Sequence, residues 1–485
     1  MRTARIVVRD EVNVKIEGLE LDARRKLVNT FKYDVPYARY LPAVRLGRWD
    51  GKVSYFQLGG STYVNLLPEI MPILEDFNYD VELDDQREYR TTFEFEPVAE
   101  DTYADIVWPK GHPAAGETIL LRDYQVTIIN AFLANPQCLQ EVATGAGKTI
   151  MTAALSERVE QYGRSIVIVP NKSLVTQTEK DYKNMDLDVG VFFGDRKEFG
   201  HRHTICTWQS LNVLLKNTRN QSADITIQEF LEDVICVIVD EVHMAKADAL
   251  KTLLTGVMAQ VPIRWGLTGT IPKEQFEFQA LHVSLGPVIN RLAAVDLQEQ
   301  GVLAQCHVNI VQLVDGVEHT NYQSELKYLL EESGRLDAMA RLIQEVNKTG
   351  NTLVLVDRIA AGNDLVARLQ NATFISGGTK AGERQEHYDS VAETDDKIIV
   401  ATYGVAAVGI NIPRIFNLVL IEPGKSFVRV IQSIGRGIRK AEDKDYVQIW
   451  DITSTCRFAK RHLTKRKTYY REAEYPFTQE RLEWR

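Results

Sequence analysis

The run Glu141-Val142-Ala143-Thr144-Gly145-Ala146-Gly147-Lys148-Thr149 constrains this chain more than any other. Glycines 145 and 147 leave room for backbone N–H groups to wrap phosphate oxygens at the start of a helix. Lys148 would then reach the β- and γ-phosphates of a nucleotide, and the Thr149 hydroxyl would ligate Mg²⁺. Such a loop needs a strand before it and a helix after it, expected at Cys138–Val142 and Ile150–Val159. The general phosphate loop carries a further glycine where this chain has Val142. Taken alone, the run could also be a glycine-rich turn with a stray lysine.

A second element makes the nucleotide reading specific. The apolar run Val237-Ile238-Val239 ends in Asp240-Glu241-Val242-His243. A strand of that kind delivers both carboxylates to the carboxyl edge of a parallel sheet, where ligands bind. Asp240 would hold Mg²⁺ and Glu241 would act as base for, or position, the attacking water.

The surroundings fit a parallel α/β architecture. Near-continuous apolar runs at Ser165–Val169, Thr204–Cys206, Val234–Val239 and Arg264–Thr268 alternate with helical patterns, as strands buried on both faces do. After Gly301 the alternation restarts at Val308–Leu313, Thr352–Val356, Thr373–Ile375, Lys397–Ala401, Leu418–Ile421 and Val447–Trp450. A length of 485 residues exceeds one hydrophobic core. We therefore expect a small α+β N-terminal domain (1–105), two α/β domains (106–300 and 301–455) and a basic C-terminal segment (456–485). In the first of these, short strands are expected at Ala4–Val8, Val12–Ile16 and Val53–Gln57, with a helix at Leu21–Phe31. An acidic, polar stretch runs from 82 to 105, and the segment 108–113 reads as a linker or loop.

With 45% hydrophobic and 25% charged residues, the composition is that of a soluble globular protein. No apolar run is long enough to span a bilayer, and the N-terminus lacks the apolar core of a signal peptide. Five scattered cysteines without a C-x-x-C pair suit buried thiols in a reducing compartment, so a cytoplasmic location is expected, the host cytoplasm for a phage-encoded chain. The net charge of −9 argues against a chain that coats nucleic acid with its whole surface, leaving only local basic tracks.

Read in order, further blocks join the phosphate loop: Leu121-Arg122-Asp123-Tyr124-Gln125, Ile166-Val167-Ile168-Val169-Pro170-Asn171-Lys172, Thr207-Trp208-Gln209, Asp240-Glu241-Val242-His243 and Gly266-Leu267-Thr268-Gly269-Thr270. In the second half come Thr402 to Ile412 and Gln432-Ser433-Ile434-Gly435-Arg436-Gly437-Ile438-Arg439. This ordered set resembles the motifs of the superfamily 2 DExH helicases. Arg45-Leu46-Gly47-Arg48-Trp49-Asp50-Gly51-Lys52 is similar to an element of the phage recombination and repair helicases of the UvsW type.

The resemblance implies two RecA-like domains, ATP and Mg²⁺ as cofactors, and specific roles. Gln125 would read the adenine with Arg122 or Tyr124 packing near the base, and Gly409 would line the nucleotide site. Arg436 and Arg439 would stabilise the γ-phosphate from the second domain, and Gln432 would orient water or phosphate. A strand would contact Pro170, Asn171, Lys172, Thr207, Trp208, Gln209, Thr402, Tyr403 and Gly404 without reading sequence. Asn411 stands where the family often has Asp. The expected partner is single-stranded, forked or four-way DNA, with RNA and a single-strand-binding protein as further candidates and no membrane, for a monomeric motor.

Two local patches oppose the acidic average. Arg39, Arg45, Arg48, Trp49 and Lys52 interleave with Tyr37, Tyr40 and Tyr55, which suits phosphate contact plus stacking. The aromatics could equally fill the domain's own core. Arg457, Lys460, Arg461, Lys465, Arg466, Lys467 and Arg471 follow the second α/β domain and suit phosphate contact, or a merely solvated face. The rival functions are an RNA-dependent ATPase, a duplex translocase that never separates strands, a restriction-system motor, and an annealing protein with a vestigial ATP site.

Overall fold

The computed structural model describes residues 2–88, 92–110, 114–242, 247–392, 394–405, 412, 414–426, 434–435 and 444–485. The first sheet comprises β1 (Arg2–Val8), β2 (Asn13–Glu17), β5 (Ser61–Tyr63) and β6 (Tyr79–Asp85), while β3 (Lys32–Asp34) and β4 (Lys52–Ser54) pair as a separate antiparallel ribbon. Its order is β5-β2-β1-β6, with β6 parallel to β1. Alternation buries Ala4 and Ile6 on β1, and Val14 and Ile16 on β2, against the helices Leu21–Thr30 and Leu67–Asp76. The same core takes in Ala280 and Val283 of the helix Gln275–Leu285, so the small domain is fused to the first α/β sheet.

That sheet contains β7 (Gln137–Val142), β8 (Arg164–Val169), β9 (Val189–Phe193), β10 (Arg196–Lys197), β11 (His203–Thr207), β12 (Val234–Asp240), β13 (Ile263–Thr268) and β14 (Val288–Leu292). The order is β10-β9-β11-β8-β12-β13-β7-β14, and β9 to β7 in that order run parallel. The second α/β sheet is β17-β18-β16-β19-β20-β15-β21, parallel throughout. Its strands are β15 (Gln305–Leu313), β16 (Thr352–Val356), β17 (Ala372–Ile375), β18 (Ile398–Thr402), β19 (Asn417–Ile421), β20 (Tyr446–Ser454) and β21 (Phe477–Leu482). These are two RecA-like sheets preceded by a small α+β domain. The molecule divides into two compact units, Met1–Val142 with Gly147–Arg291, and Ala143–Ala146 with Leu292–Arg485.

The acidic stretch from 82 opens inside β6, which continues to Asp85, and farther on Phe93 and Phe95 pack edge-on against Tyr162 at 5.1 and 5.6 Å. Two expectations need correction. The strand expected at Val53–Gln57 ends at Ser54, because Tyr55 and Phe56 both turn into the core instead of alternating. The basic C-terminal segment is the helix Arg457–Glu472 followed by β21, which pairs with β15 and completes the second sheet. All five cysteines are buried and unpaired. Among the described residues, no helix is long and apolar enough to cross a membrane.

Candidate active site

Parallel register brings three motif ends to one edge of the first α/β sheet. Asp240 on β12 lies opposite Leu267 on β13, and Thr268 lies opposite Glu141 on β7. Beyond β7 the chain turns through Gly145 and Gly147, at φ +95° and +81°. A side chain at either would be strained, and a Cβ on Gly147 would stand 2.6 Å from the Gln125 amide nitrogen. Lys148 then opens the helix Lys148–Val159, with half-buried Thr149 in its first turn. The unpaired N–H groups of that turn and the helix dipole favour an anion there.

Lys148 is buried, and its Nζ lies 2.8 Å from Oε1 of Glu241 and 3.3 Å from the Val142 carbonyl. Glu241 sits at φ +51°, a left-handed conformation uncommon for a residue with a side chain. Its Oε2 accepts the Gly269 N–H at 3.3 Å, while Asp240 Oδ1 accepts the Glu241 N–H at 2.9 Å. The Thr268 hydroxyl donates to the Thr270 carbonyl and accepts the Thr270 N–H. One short arc therefore holds a buried cation and two carboxylates beside a turn whose backbone glycine adopts without strain. Thr149 and Asp240 supply hard oxygen donors suited to Mg²⁺.

Sequence reasoning missed Glu141. Its Oε1 accepts the Ile271 N–H at 3.2 Å and its Oε2 lies 3.5 Å from Arg291, so it ties the strand feeding the loop to the end of the Gly266–Thr270 block. The available signal was an acidic residue at the end of the strand that feeds the glycine turn.

Gln125 is buried, and its Oε1 caps the helix Asp123–Leu133 by accepting the Arg122 N–H at 2.9 Å. The Arg122 guanidinium donates to the Tyr124 hydroxyl. Gly409, Gln432, Arg436 and Arg439 lie outside the described residues, as do His243 and Asn411.

Along the same sheet edge β8 and β11 end in register, Val169 opposite Thr207, and each leads into a helix. Pro170 is buried; Asn171 caps the helix Lys172–Asn184 by accepting the Leu174 N–H, and Lys172 is exposed. Thr207 caps the helix Trp208–Arg219, and exposed Gln209 donates to the Pro170 carbonyl. The Trp208 ring packs against the sheet's core. Buried Asn171 Nδ2 and Trp208 Nε1 have no hydrogen-bond partner, so unmet donors gather at both helix starts. In the second unit Thr402 is half-buried and Gly404 exposed, but Tyr403 is buried and donates to the Ile421 carbonyl. This directs the Tyr403 side chain inward, away from a nucleic-acid contact.

The basic patches divide in the same way. Arg45, Arg48 and Lys52 are exposed, whereas Trp49 is half-buried, with Nε1 donating to the Lys52 carbonyl, and Tyr55 is fully buried, bonded to the Phe276 carbonyl. On the last helix Arg457, Lys460, Arg461, Lys465 and Arg471 face solvent and Lys467 is half-buried. Arg466 is a correction. Fully buried, it pairs bidentately with Asp451 at 2.8 and 2.9 Å and also donates to the Gly424 carbonyl, so its role is internal.

Comparison with known proteins agrees with this geometry. The family "Type III restriction enzyme, res subunit" matches residues 118–273, and "Helicase conserved C-terminal domain" matches 334–441. The chain is similar to the ATP-dependent DNA helicase UvsW of Enterobacteria phage T4, 23% identical over 466 residues, or 92% of this chain and 89% of that protein. It is also similar to the DNA 3′-5′ helicase XPB of Mycobacterium tuberculosis, 23% identical over 74% of this chain and 65% of that protein. The solved Type ISP restriction-modification enzyme LlaBIII shares the fold, with a TM-score of 0.56 at 14% identity over 95% of this chain and 39% of that one. Two helicase-family domains in tandem on two RecA-like sheets identify this chain as a nucleic-acid-dependent ATPase of the helicase type, resembling superfamily 2 and, within it, UvsW.

Proposed function

We propose that this chain is an ATP-driven DNA helicase or translocase that remodels branched DNA, through fork regression, Holliday-junction branch migration and unwinding in recombination, repair and replication. The observation that carries this reading is the span of the similarity to UvsW, which takes in the N-terminal region as well as both helicase domains.

In this reading Lys148 exchanges Glu241 for the β- and γ-phosphates of ATP, and Glu241, once freed, orients the attacking water. Thr149 and Asp240 hold Mg²⁺, which supplies positive charge against the phosphates. The helix starts at Asn171 and Thr207 take strand phosphates through backbone N–H groups, a contact indifferent to sequence. Arg45, Arg48 and Lys52, with the exposed face of the last helix, hold a duplex arm. The chain works in the cytoplasm as a monomeric motor, with a single-strand-binding protein as a candidate partner.

A synthetic four-way junction incubated with the chain and ATP should resolve into two forked duplexes. Failure to do so, while single-stranded DNA still accelerates ATP hydrolysis, would leave a DNA translocase and remove the branched-DNA role.

A further inference from the structure

Residues 35–51 form a closed loop whose ends meet at the β3–β4 ribbon, where the Val35 N–H donates to the Gly51 carbonyl at 2.9 Å. Within it the chain folds tightly: the Leu46 N–H bonds the Pro42 carbonyl, and the Arg48 and Trp49 N–H groups share the Ala43 carbonyl. Gly51 lets the loop close, because a Cβ there would press on Ala38 at 3.3 Å at a φ of +77°. Val35, Ala38, Val44 and Trp49 fill the inside and pack on Phe276 of the helix Gln275–Leu285. Such self-packed loops are frequently functional.

The outside of the loop is unusual. Tyr40 is 60% and Leu46 64% exposed, with Tyr37 and Leu41 also open to solvent, although each is large and apolar enough to have been buried. Arg39 lies over the Tyr40 ring at 4.8 Å, and Arg45 and Arg48 flank Leu46. From residue 35 to residue 49 there is no acidic side chain in a chain of net charge −9. Apolar and aromatic tips framed by arginines complement a polyanion that presents a flat apolar face. The outermost base pair of a duplex, where it meets single strand, is such an object.

We infer that this loop is a junction wedge, with Leu46 and Tyr40 stacking on the last base pair of a DNA duplex while Arg39, Arg45 and Arg48 hold the flanking phosphates. The inference rests on the DNA reading above and adds the feature recognised, the end of the stack. Its seat on Phe276, six residues after Thr270, places the wedge on the helix that follows the Gly266–Thr270 block.

The test uses the full chain and forked DNA with 2-aminopurine at the junction pair or deep in the duplex, without nucleotide. Binding should lower fluorescence at the junction, because a cap stacked on that pair suppresses its fraying, and leave the interior unchanged. Leu46→Gln and Tyr40→Ala, both at exposed positions, should abolish that drop and lower the preference for fork over single strand by roughly fivefold or more, the size of one lost base stack. A drop that both variants retain, or a junction signal that does not change while the chain binds the fork, would overturn the wedge and leave the loop as a protein-docking surface. A chain that ignores DNA altogether would bring down the DNA reading along with it.

Discussion

The two α/β sheets carry a matching device at the ends of inner strands, put to different ends. β12 stops just before Glu241, at φ +51°, and β19 just before Glu422, at φ +42°. Each carboxylate is buried and each lies 2.8 Å from a buried cation, Lys148 in one case and Arg335 in the other. The difference lies in what surrounds the cation. Arg335 is enclosed: it also donates to Asp315 at 3.2 Å and to the Leu329 and Thr453 carbonyls, while Thr453 Oγ1 donates to Glu422. Lys148 sits beside a glycine turn, and among the described residues the Val142 carbonyl is its one hydrogen-bonding neighbour besides Glu241. A strand-end ion pair whose donors are all met internally is architecture, whereas one at the start of a helix beside a glycine turn can exchange its partner for an anion.

Exchanging the pairs' roles would break this comparison. Glu241→Gln should cut nucleic-acid-stimulated ATP hydrolysis by about 100-fold or more, the range of a lost general base, with little change in thermal stability. Arg335→Met should do its damage in folding, costing about 3–5 kcal/mol in denaturant titration, because Asp315 and Glu422 would be left buried without their cation. If Glu241→Gln unfolds the chain while Arg335→Met only slows hydrolysis, the comparison is inverted.

The last helix sharpens it further. Arg461→Ala removes an exposed cation and should weaken DNA binding a few-fold, reducing the salt dependence by about one counterion, whereas Arg466→Ala should destabilise the fold. The same helix carries a pH effect. Burial, with Arg466, Lys425 and Lys465 nearby, pushes His462 down from 6.5 to about 4. Between those values the unfolded chain binds the proton and the folded chain does not, so stability should fall as pH is lowered through that window and be level above it. Replacing His462 with Gln should flatten that slope in a series of thermal melts.

That helix also shows what could be read from sequence. As a string, Arg457 to Arg471 is rich in basic residues, has no acidic one and suggests one phosphate-binding face. The fold imposes the helical period instead: Ala459, Leu463, Arg466 and Tyr470 turn inward, and Arg466 finds Asp451 on a strand fifteen residues earlier. The spacing was visible, but the partner was not. The phosphate loop and the Asp240–Glu241 strand end were legible because turn, strand and helix signals coincide within a few residues. Glu141, β6 and β21 were not, because what fixes them is pairing across long separations: Glu141 with Ile271, β6 with β1, and β21 with β15. The inward turn of Tyr55 likewise depends on Phe276, more than two hundred residues away.

If DNA drives ATP hydrolysis at Lys148 and Glu241, the rate measured alone and with single-stranded DNA, forked DNA or RNA, beside a Lys148→Ala control, will show it. Forked DNA should stimulate most strongly, and the control should lose hydrolysis by about 100-fold or more. Stimulation by RNA alone, or hydrolysis that survives Lys148→Ala, would mean that the site is not a DNA-driven ATPase.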